Sequence, residues 1–180
     1  MRARRVGPGC DGGWRPPLAC VARGTGIMAR VHVVFVCSGN ICRSPVAEKV
    51  FRARLAEAGL TDAVRVSSAG VGPWHAGEPI DRRAATTLRE RGYDTTHTAR
   101  QIDDEMLDAD LLVAATENHV RDLVAAGADP ARVVLLRSFD DSAAPGAEVP
   151  DPYYGGPGGF DEVIEMVEAA MPGLVARVRP

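Results

Sequence analysis

Hydrophobic positions along this chain follow two alternating patterns. Short runs of apolar, mostly β-branched residues predict strands, and segments in which apolar residues recur every three or four positions predict helices. Glycines directly after three of the helical segments mark helix ends. Alternation of strands and helices indicates a parallel sheet with helices on both faces. The predicted strands are 31–36, 64–67, 111–115 and 133–136, and the predicted helices are 46–58, 80–91, 119–126 and 161–170, the last interrupted at Pro172 and resumed through Val178.

Residues 1–27 differ in composition from the rest of the chain. They contain five arginines and a single acidic residue, Asp11, among many glycines and prolines. Their longest apolar run, 18–22, is too short for the core of an export signal, and we expect the segment to be disordered. Translation from a start codon upstream of Met28 would explain it, with a functional basic extension as the alternative. We therefore expect one domain over 28–180.

The segment from Cys37 to Arg43 joins the first predicted strand to the first predicted helix. Ser44 can cap that helix, and Pro45 suits its first turn because its missing N–H needs no intrahelical partner. Backbone N–H groups at a helix N-terminus attract an anion, and the Arg43 guanidinium can bind two oxygens of a phosphate. The same positive field favours the thiolate of Cys37, a nucleophile aimed at phosphorus. A buried thiol without a chemical role is the alternative for Cys37.

Composition and charge narrow the classes of function. The chain has 180 residues, 46% of them apolar, and a net charge of −3, which gives no reason to expect binding to nucleic acid or to a membrane. No apolar stretch approaches the ~20 residues that a membrane-spanning helix needs. The cysteines at 10, 20, 37 and 42 match neither a disulfide framework nor a zinc-ligand spacing. We therefore expect a reducing, cytoplasmic compartment and neither a metal nor a cofactor.

The sequence CSGNICRSP at 37–45 resembles the phosphate-binding loop of the low-molecular-weight protein tyrosine phosphatases. The family pattern is C-x-G-N-x-C-R-S-P after a V-x-F-V-C strand, and the resemblance extends over roughly 29–178. It implies a flavodoxin-like α/β domain with a four-stranded parallel sheet in the order 2-1-3-4. It also implies hydrolysis of phosphotyrosine in proteins through a cysteinyl-phosphate on Cys37, with Arg43 binding the phosphate. The implied protein is a monomer whose partners are phosphotyrosine-containing proteins.

A second motif, DPYYG at 151–155, is a turn when it is taken alone. Beside the Cys37 loop it resembles the family's D-P-Y/W-x-G acid loop. This implies that Asp151 protonates the phenol oxygen as the P–O bond breaks, and then takes a proton from the water that hydrolyses the intermediate. Four glycines within 155–159 predict a loop mobile enough to close on a substrate.

The resemblance also implies residues that recognise the substrate. Trp74 and His75, with Tyr153 and Tyr154, would wall a deep cleft in which only a phosphotyrosine is long enough to reach Cys37 at the base. A partly buried loop anchor is the alternative for Trp74. Ile41 favours tyrosine, since relatives that act on phosphoarginine tend to carry Thr there. A kinase acting on Tyr153 or Tyr154 would be a further partner. The implied substrate-binding set is Ser38, Gly39, Asn40, Ile41, Cys42, Ser44, Trp74, His75, Tyr153 and Tyr154.

Four residues match a hydrogen-bond network that braces the loop in the family: Asn40, Ser44, Ser68 and His97. A satisfied structural histidine is the alternative for His97. Asn is a residue type that tolerates positive φ, which a tight phosphate loop often needs. One departure from the family is Thr116, which stands where many members have Asp.

Other functions of the same fold are arsenate reductase, phosphoarginine phosphatase and a non-catalytic phosphate-binding module. The reductase needs further cysteines downstream, and the chain has none after Cys42. A non-catalytic module would have lost Cys37, Arg43 or Asp151, and all three are present. We also expect Cys42 to capture an oxidised Cys37 as a disulfide, with packing at the base of the loop as the alternative.

Overall fold

The computed structural model describes residues 30–156 and 158–179. The segment 1–27, predicted to be disordered, lies outside the described residues. Within the described ranges, no helix combines the length and the apolarity that a membrane span requires.

Four parallel strands form the sheet: β1 Val31–Cys37, β2 Val64–Gly70, β3 Leu111–Ala114 and β4 Val133–Leu135. Their order is β2-β1-β3-β4, which confirms the predicted topology. β1 lies between β2 and β3, and its last residue, Cys37, pairs in register with Gly70. A sheet of this kind binds ligands at the carboxyl ends of its strands, where the strand order reverses. The chain therefore places Cys37 at the edge of the sheet where a ligand site is expected.

In the part of the chain that the structure describes, five α-helices connect and follow the strands: α1 Arg43–Glu57, α2 Arg82–Glu90, α3 Asp104–Leu107, α4 Glu117–Ala125 and α5 Gly159–Val178. Short 3-10 helices occupy Pro130–Arg132 and Leu136–Phe139. The predicted glycine ends are confirmed, because Gly59, Gly92 and Gly127 follow α1, α2 and α4 with positive φ. The short α3 was not predicted, since four residues are too few for helical periodicity to appear in the sequence.

Side chains of β1 alternate between two hydrophobic clusters. Val33 and Phe35 pack with residues of α1 and α5, and Val34 and Val36 pack with Leu123 of α4 on the opposite face. Helices therefore cover both faces of the sheet, as predicted. Because β1 is buried on both faces, the end of this strand is a rigid place for a functional residue.

The start of α1 differs from the prediction. Its N-cap is Cys42, whose side chain makes no capping hydrogen bond, and Ser44 lies in the first helical turn. The predicted Ser44 cap is therefore wrong. The Ser44 hydroxyl is 3.0 Å from Cys37 Sγ and accepts from Asn40 Nδ2 over 2.9 Å, so it is engaged by side chains of the loop.

The predicted interruption of the last helix is also wrong, because α5 continues through Pro172. Pro172 is exposed, while its neighbours Met171 and Leu174 are buried in the core. Burial of this apolar face offsets the ~3 kcal/mol that an interior proline costs a helix.

Candidate active site

The loop that joins β1 to α1 is held by the amide of Asn40. Asn40 has a φ of 59°, and among the described residues it is the only non-glycine with a positive φ. Its Nδ2 donates to Ser44 Oγ over 2.9 Å and to Ser68 Oγ over 3.0 Å, and its Oδ1 accepts from the Arg100 N–H over 3.0 Å. Since both ends of the amide are bonded, the surrounding structure stabilises the unusual backbone conformation.

Further side chains brace the same loop. Ser68 on β2 donates to Glu48 on α1 over 2.6 Å, and His97 Nε2 donates to the Asn40 carbonyl oxygen over 2.7 Å. Burial lowers the pKa of His97, which favours a neutral imidazole with a single N–H donor. The structure thus brings together the set expected to support the loop: Asn40, Ser44, Ser68 and His97.

The two cysteines of the loop have different surroundings. Cys37 Sγ is 3.0 Å from Ser44 Oγ, and because a thiolate can only accept, the Ser44 hydroxyl would donate to Cys37 in that state. Burial, followed by the charge of Asp81, raises the pKa of Cys42 to about 12. Cys42 is therefore a neutral thiol at physiological pH and does not compete with Cys37 as a nucleophile.

The guanidinium of Arg43 is buried in the wall of the site. Its Nη1 donates to the Val149 carbonyl oxygen over 3.4 Å, and its Nη2 donates to Ser38 Oγ over 3.1 Å and to Asp151 Oδ2 over 2.9 Å. The Nε of Arg43 is buried and has no hydrogen-bond partner among the described residues. An unpaired buried donor costs about 1–3 kcal/mol, more for a charged group, so this site suits a ligand that presents an oxygen to Nε.

Asp151 lies at the mouth of the site and also forms the turn that its motif predicts. Its Oδ1 accepts from the Tyr153 N–H over 3.1 Å, while its Oδ2 accepts from Arg43. The side chain is 42% exposed. The carboxylate is therefore held by the turn at one oxygen and by the guanidinium at the other, within reach of a ligand that enters from solvent.

A cleft of about 500 Å³ opens above the loop. Tyr153 and Tyr154 meet edge to face on one side of it, with ring centres 4.8 Å apart, and Tyr154 is 91% exposed. Trp74 is 68% exposed, so the alternative of a partly buried anchor does not describe it. One face of its indole covers Gly72, where a Cβ would lie only 2.3 Å from the ring. The cleft is lined by Cys37, Ser38, Gly39, Ile41, Cys42, Arg43, Trp74, His75, Asp151, Tyr153 and Tyr154.

Two of the residues expected to bind substrate occupy a different position. The side chains of Asn40 and Ser44 are buried beneath the loop and do not line the cleft, whereas the other expected residues do. Their side chains shape the loop from below. His75 fits closely over the loop, since a Cβ on Gly39 would lie 2.6 Å from its ring.

Arg83 contacts the loop that carries Asp151, and it was not predicted as a site residue. It is paired with Asp81 at 2.9 Å, and its Nη1 donates to the Tyr153 carbonyl oxygen over 3.1 Å. Its guanidinium lies 5.5 Å from the centre of the Tyr153 ring and 4.7 Å from that of Phe160. Arg83 therefore joins the start of α2 to the loop that carries Asp151. The contact with Tyr153 spans 70 positions, and no local pattern marks it.

His119 is a second residue of the site that was not predicted from the sequence. It is buried on α4, and its Nε2 lies 3.0 Å from Ser38 Oγ in the phosphate-binding loop. The predicted topology could have pointed to His119, because α4 follows β3 directly and β3 is a neighbour of β1. Residues just after β3 therefore lie at the same edge of the sheet as Cys37.

Comparisons with known proteins agree with this geometry. A model of the family described as low molecular weight phosphotyrosine protein phosphatase matches residues 32–180. The low molecular weight protein-tyrosine phosphatase A of Mycobacterium tuberculosis is 54% identical over 145 residues, which are 80% of this chain and 89% of that protein.

Solved structures with the same fold include enzymes of two kinds. A protein tyrosine phosphatase from Entamoeba histolytica superposes with a TM-score of 0.78 at 30% identity, over 82% of this chain and 96% of that one. A Drosophila arginine phosphatase superposes with a TM-score of 0.73 at 26% identity, over 82% of this chain and 98% of that one. From the family match over most of its length and the high identity to a named member, the chain belongs to the low molecular weight phosphotyrosine protein phosphatase family.

Proposed function

We propose that this chain hydrolyses phosphotyrosine in proteins, with Cys37 as nucleophile, Arg43 binding the phosphate and Asp151 as general acid and base. The buried, unpaired Nε of Arg43 is the observation that supports the proposal most directly. A phosphate oxygen would satisfy this donor at the base of a cleft that Cys37 also lines.

In the first step, the Cys37 thiolate attacks phosphorus and the bond from phosphorus to the phenol oxygen breaks. Asp151 gives its proton to that oxygen, so the leaving group departs as a neutral phenol. In the structure, Asp151 accepts a hydrogen bond from Arg43 Nη2, and an arriving phosphate dianion would compete for the same donor. Two anions at one guanidinium repel each other, which favours release of Asp151 from Arg43 towards the leaving group.

In the second step, water attacks the cysteinyl-phosphate and Asp151 takes a proton from that water. The bond from sulfur to phosphorus breaks, inorganic phosphate leaves, and Cys37 returns as a thiolate. The Ser44 hydroxyl, 3.0 Å from Cys37 Sγ, stabilises the sulfur anion as nucleophile and again as leaving group.

The walls of the cleft favour an aromatic phosphoester. Trp74, Tyr153 and Tyr154 rise above the loop and offer ring faces and edges to a phenyl group. Ile41, within the loop, adds an apolar surface to the cleft, which suits a phenyl ring better than the charged guanidinium of phosphoarginine. Arsenate reduction is disfavoured because the chain lacks a cysteine after Cys42 to carry a disulfide outward.

The proposal extends to the setting of the enzyme. We assign the phosphatase domain to 28–180, preceded by a basic segment rich in glycine and proline, and propose that it is a monomer in the cytoplasm. Its partners would be phosphotyrosine-containing proteins and a kinase that acts on Tyr153 or Tyr154. Tyr154 is the more accessible of the two, with 91% of its surface exposed.

Phosphate release from matched peptides tests the proposal. Peptides of one sequence that differ only in carrying phosphotyrosine, phosphoserine or phosphoarginine are compared with wild type and Cys37→Ser. We expect turnover of the phosphotyrosine peptide alone, and none by Cys37→Ser. Faster release from phosphoarginine would replace the proposed substrate, and residual turnover by a folded Cys37→Ser protein would remove Cys37 from its role.

A further inference from the structure

A hydrogen-bonded chain of side chains runs from α4 to the phosphate-binding loop. Thr116 Oγ1 is 2.9 Å from His119 Nδ1, and His119 Nε2 is 3.0 Å from Ser38 Oγ. Ser38 Oγ accepts from Arg43 Nη2 over 3.1 Å. Ser38 and Arg43 line the cleft, whereas Thr116 and His119 do not. Hydrogen bonding can therefore connect His119 to a bound ligand through Ser38.

The donor and acceptor roles along this row of hydrogen bonds depend on the tautomer of His119, because its imidazole is neutral. It is only 4% exposed, and burial, with the charge of Arg43 as the next cause, lowers its pKa to about 4. A neutral imidazole has one N–H donor and one acceptor nitrogen. The tautomer of His119 therefore decides whether the Ser38 hydroxyl proton is used by His119 or remains for a ligand.

Two arrangements fit the distances. With the proton on Nδ1, His119 donates from both Nδ1 and its backbone N–H to Thr116 Oγ1, and Ser38 donates to Nε2. With the proton on Nε2, Thr116 donates to Nδ1 while it still accepts from the backbone N–H. Ser38 Oγ then accepts from both His119 and Arg43, and its own proton is left for the cleft. A phosphate dianion is an acceptor on every oxygen, so it favours the second arrangement.

We propose that His119 is a positioning residue that turns the Ser38 hydroxyl into a donor to the bound phosphate and anchors Ser38 Oγ against Arg43. Thr116 selects the tautomer by donating to Nδ1. The anchor matters because Arg43 Nη2 is shared between Ser38 and Asp151, and the latter bond must break when Asp151 acts. This inference rests on the proposed function, since it assumes that the ligand is a phosphoryl group.

Binding of inorganic phosphate provides the test without relying on turnover. Affinity is measured by calorimetry on protein that carries Cys37→Ser, alone and with His119→Phe, Ser38→Ala or both. Each added substitution should weaken binding about tenfold, the scale of one hydrogen bond to a charged group, and the pair should weaken it no further than one alone. Losses that multiply to about a hundredfold in the pair, or unchanged binding with His119→Phe, would overturn the proposal.

A conservative variant separates positioning from packing. His119→Gln keeps an N–H donor and an acceptor oxygen, so phosphate binding should stay within about threefold of the parent. Equal weakening of phosphate binding by His119→Gln and His119→Phe would show that His119 serves only in packing. Where thermal melting shows that His119→Phe does not fold, Thr116→Val replaces it. That variant should weaken binding when Ser38 is present and have no effect when Ser38→Ala is present, and an effect in both would contradict the proposal.

The proposed function and this inference fail in different ways. Wild-type protein without turnover of phosphotyrosine peptides would remove the function, while coupling between His119 and Ser38 in phosphate binding would persist. Normal turnover together with independent effects of His119 and Ser38 on phosphate binding and on kcat/KM would remove the inference alone.

Discussion

The Asp151 carboxylate accepts a hydrogen bond of 2.9 Å from Arg43 Nη2, across 108 positions of the chain. The same nitrogen donates to Ser38, so one guanidinium joins the phosphate-binding loop to the acid loop. A phosphate that binds Arg43 would therefore compete directly with Asp151, the proposed general acid.

Replacing Asp151 should separate proton transfer from phosphate binding. Asp151→Asn should lower turnover of phenyl phosphates by about 10²–10⁴-fold, the usual worth of general acid catalysis. The loss should shrink for substrates whose leaving groups are strongly acidic, because these depart without a proton. Initial rates on a series of substituted phenyl phosphates measure this dependence. Asp141→Asn, an exposed substitution outside the cleft, serves as the control, and an equal loss across the series would contradict the acid role.

Cys42 should protect Cys37 from irreversible oxidation. Peroxide converts the Cys37 thiolate to a sulfenic acid, and the Cys42 thiol displaces water from it to form a disulfide. Because the pKa of Cys42 is raised to about 12, Cys42→Ser should retain most of its activity before oxidation. After peroxide, dithiothreitol should restore wild type and fail to restore Cys42→Ser. Bound phosphate should protect both proteins, and equal recovery of the two would assign Cys42 to packing.

The position of Trp74 depends on the absence of a side chain at Gly72. A Cβ there would lie 2.3 Å from the indole, so Gly72→Ala should displace the ring from the wall of the cleft. We expect KM for phosphotyrosine peptides to rise about 2- to 10-fold, the scale of an aromatic contact, with inhibition by inorganic phosphate unchanged. Gly156→Ala is the control, since a Cβ at Gly156 meets nothing within 4 Å. An unchanged KM in Gly72→Ala would exclude Trp74 from substrate binding.

Buried histidines should make the fold sensitive to mild acid. Burial lowers the pKa of His32, His97 and His119, the last from 6.5 to about 4. Between these values the unfolded chain binds a proton that the folded chain excludes. We therefore expect the contribution of these histidines to the free energy of unfolding to be fully present above about pH 6.5. It should fall as the pH drops towards about 4, with a loss of about 3 kcal/mol at most from His119.

The contribution of His119 can be isolated by substitution. In urea unfolding at several pH values, His119→Gln should lose less stability than wild type between about pH 7 and pH 5, while His32 and His97 maintain a smaller slope. The same slope in both proteins would show that His119 does not resist protonation.

Removal of the basic segment should leave the enzyme unchanged. A chain that begins at Met28 retains all the residues that line the cleft and both hydrophobic clusters. We expect the same melting temperature and the same kcat/KM as for the full chain. A loss of several degrees in differential scanning calorimetry would indicate that residues before Met28 pack on the domain.

The phosphate-binding loop could be predicted because its chemistry is contained in one short stretch. Cys37 and Arg43 are six positions apart, between a strand and a helix, so local backbone geometry places them together. Asn40 was predicted to tolerate positive φ for the same local reason, and its φ is 59°. The order of the strands followed from the family resemblance, and the alternating hydrophobic pattern predicted the parallel sheet.

Other features were decided by contacts between distant segments. Ser44 could have capped α1 or bonded to Cys37, and the fold of the loop over Ser68 and Asn40 selected the second. The bonds from Arg43 to Asp151 and from Ser38 to His119 span 108 and 81 positions. The second exists because β1 and β3 end at one edge of the sheet, and the first because the Val149 N–H donates to the Ala115 carbonyl oxygen, which holds the Asp151 loop at the end of β3. The sequence alone therefore determined the residue types and local geometry of the phosphate site. Which side chains hold Arg43 and Ser38 in place was decided only by the tertiary structure, because hydrogen bonds of about 3 Å depend on how separate strands and helices pack.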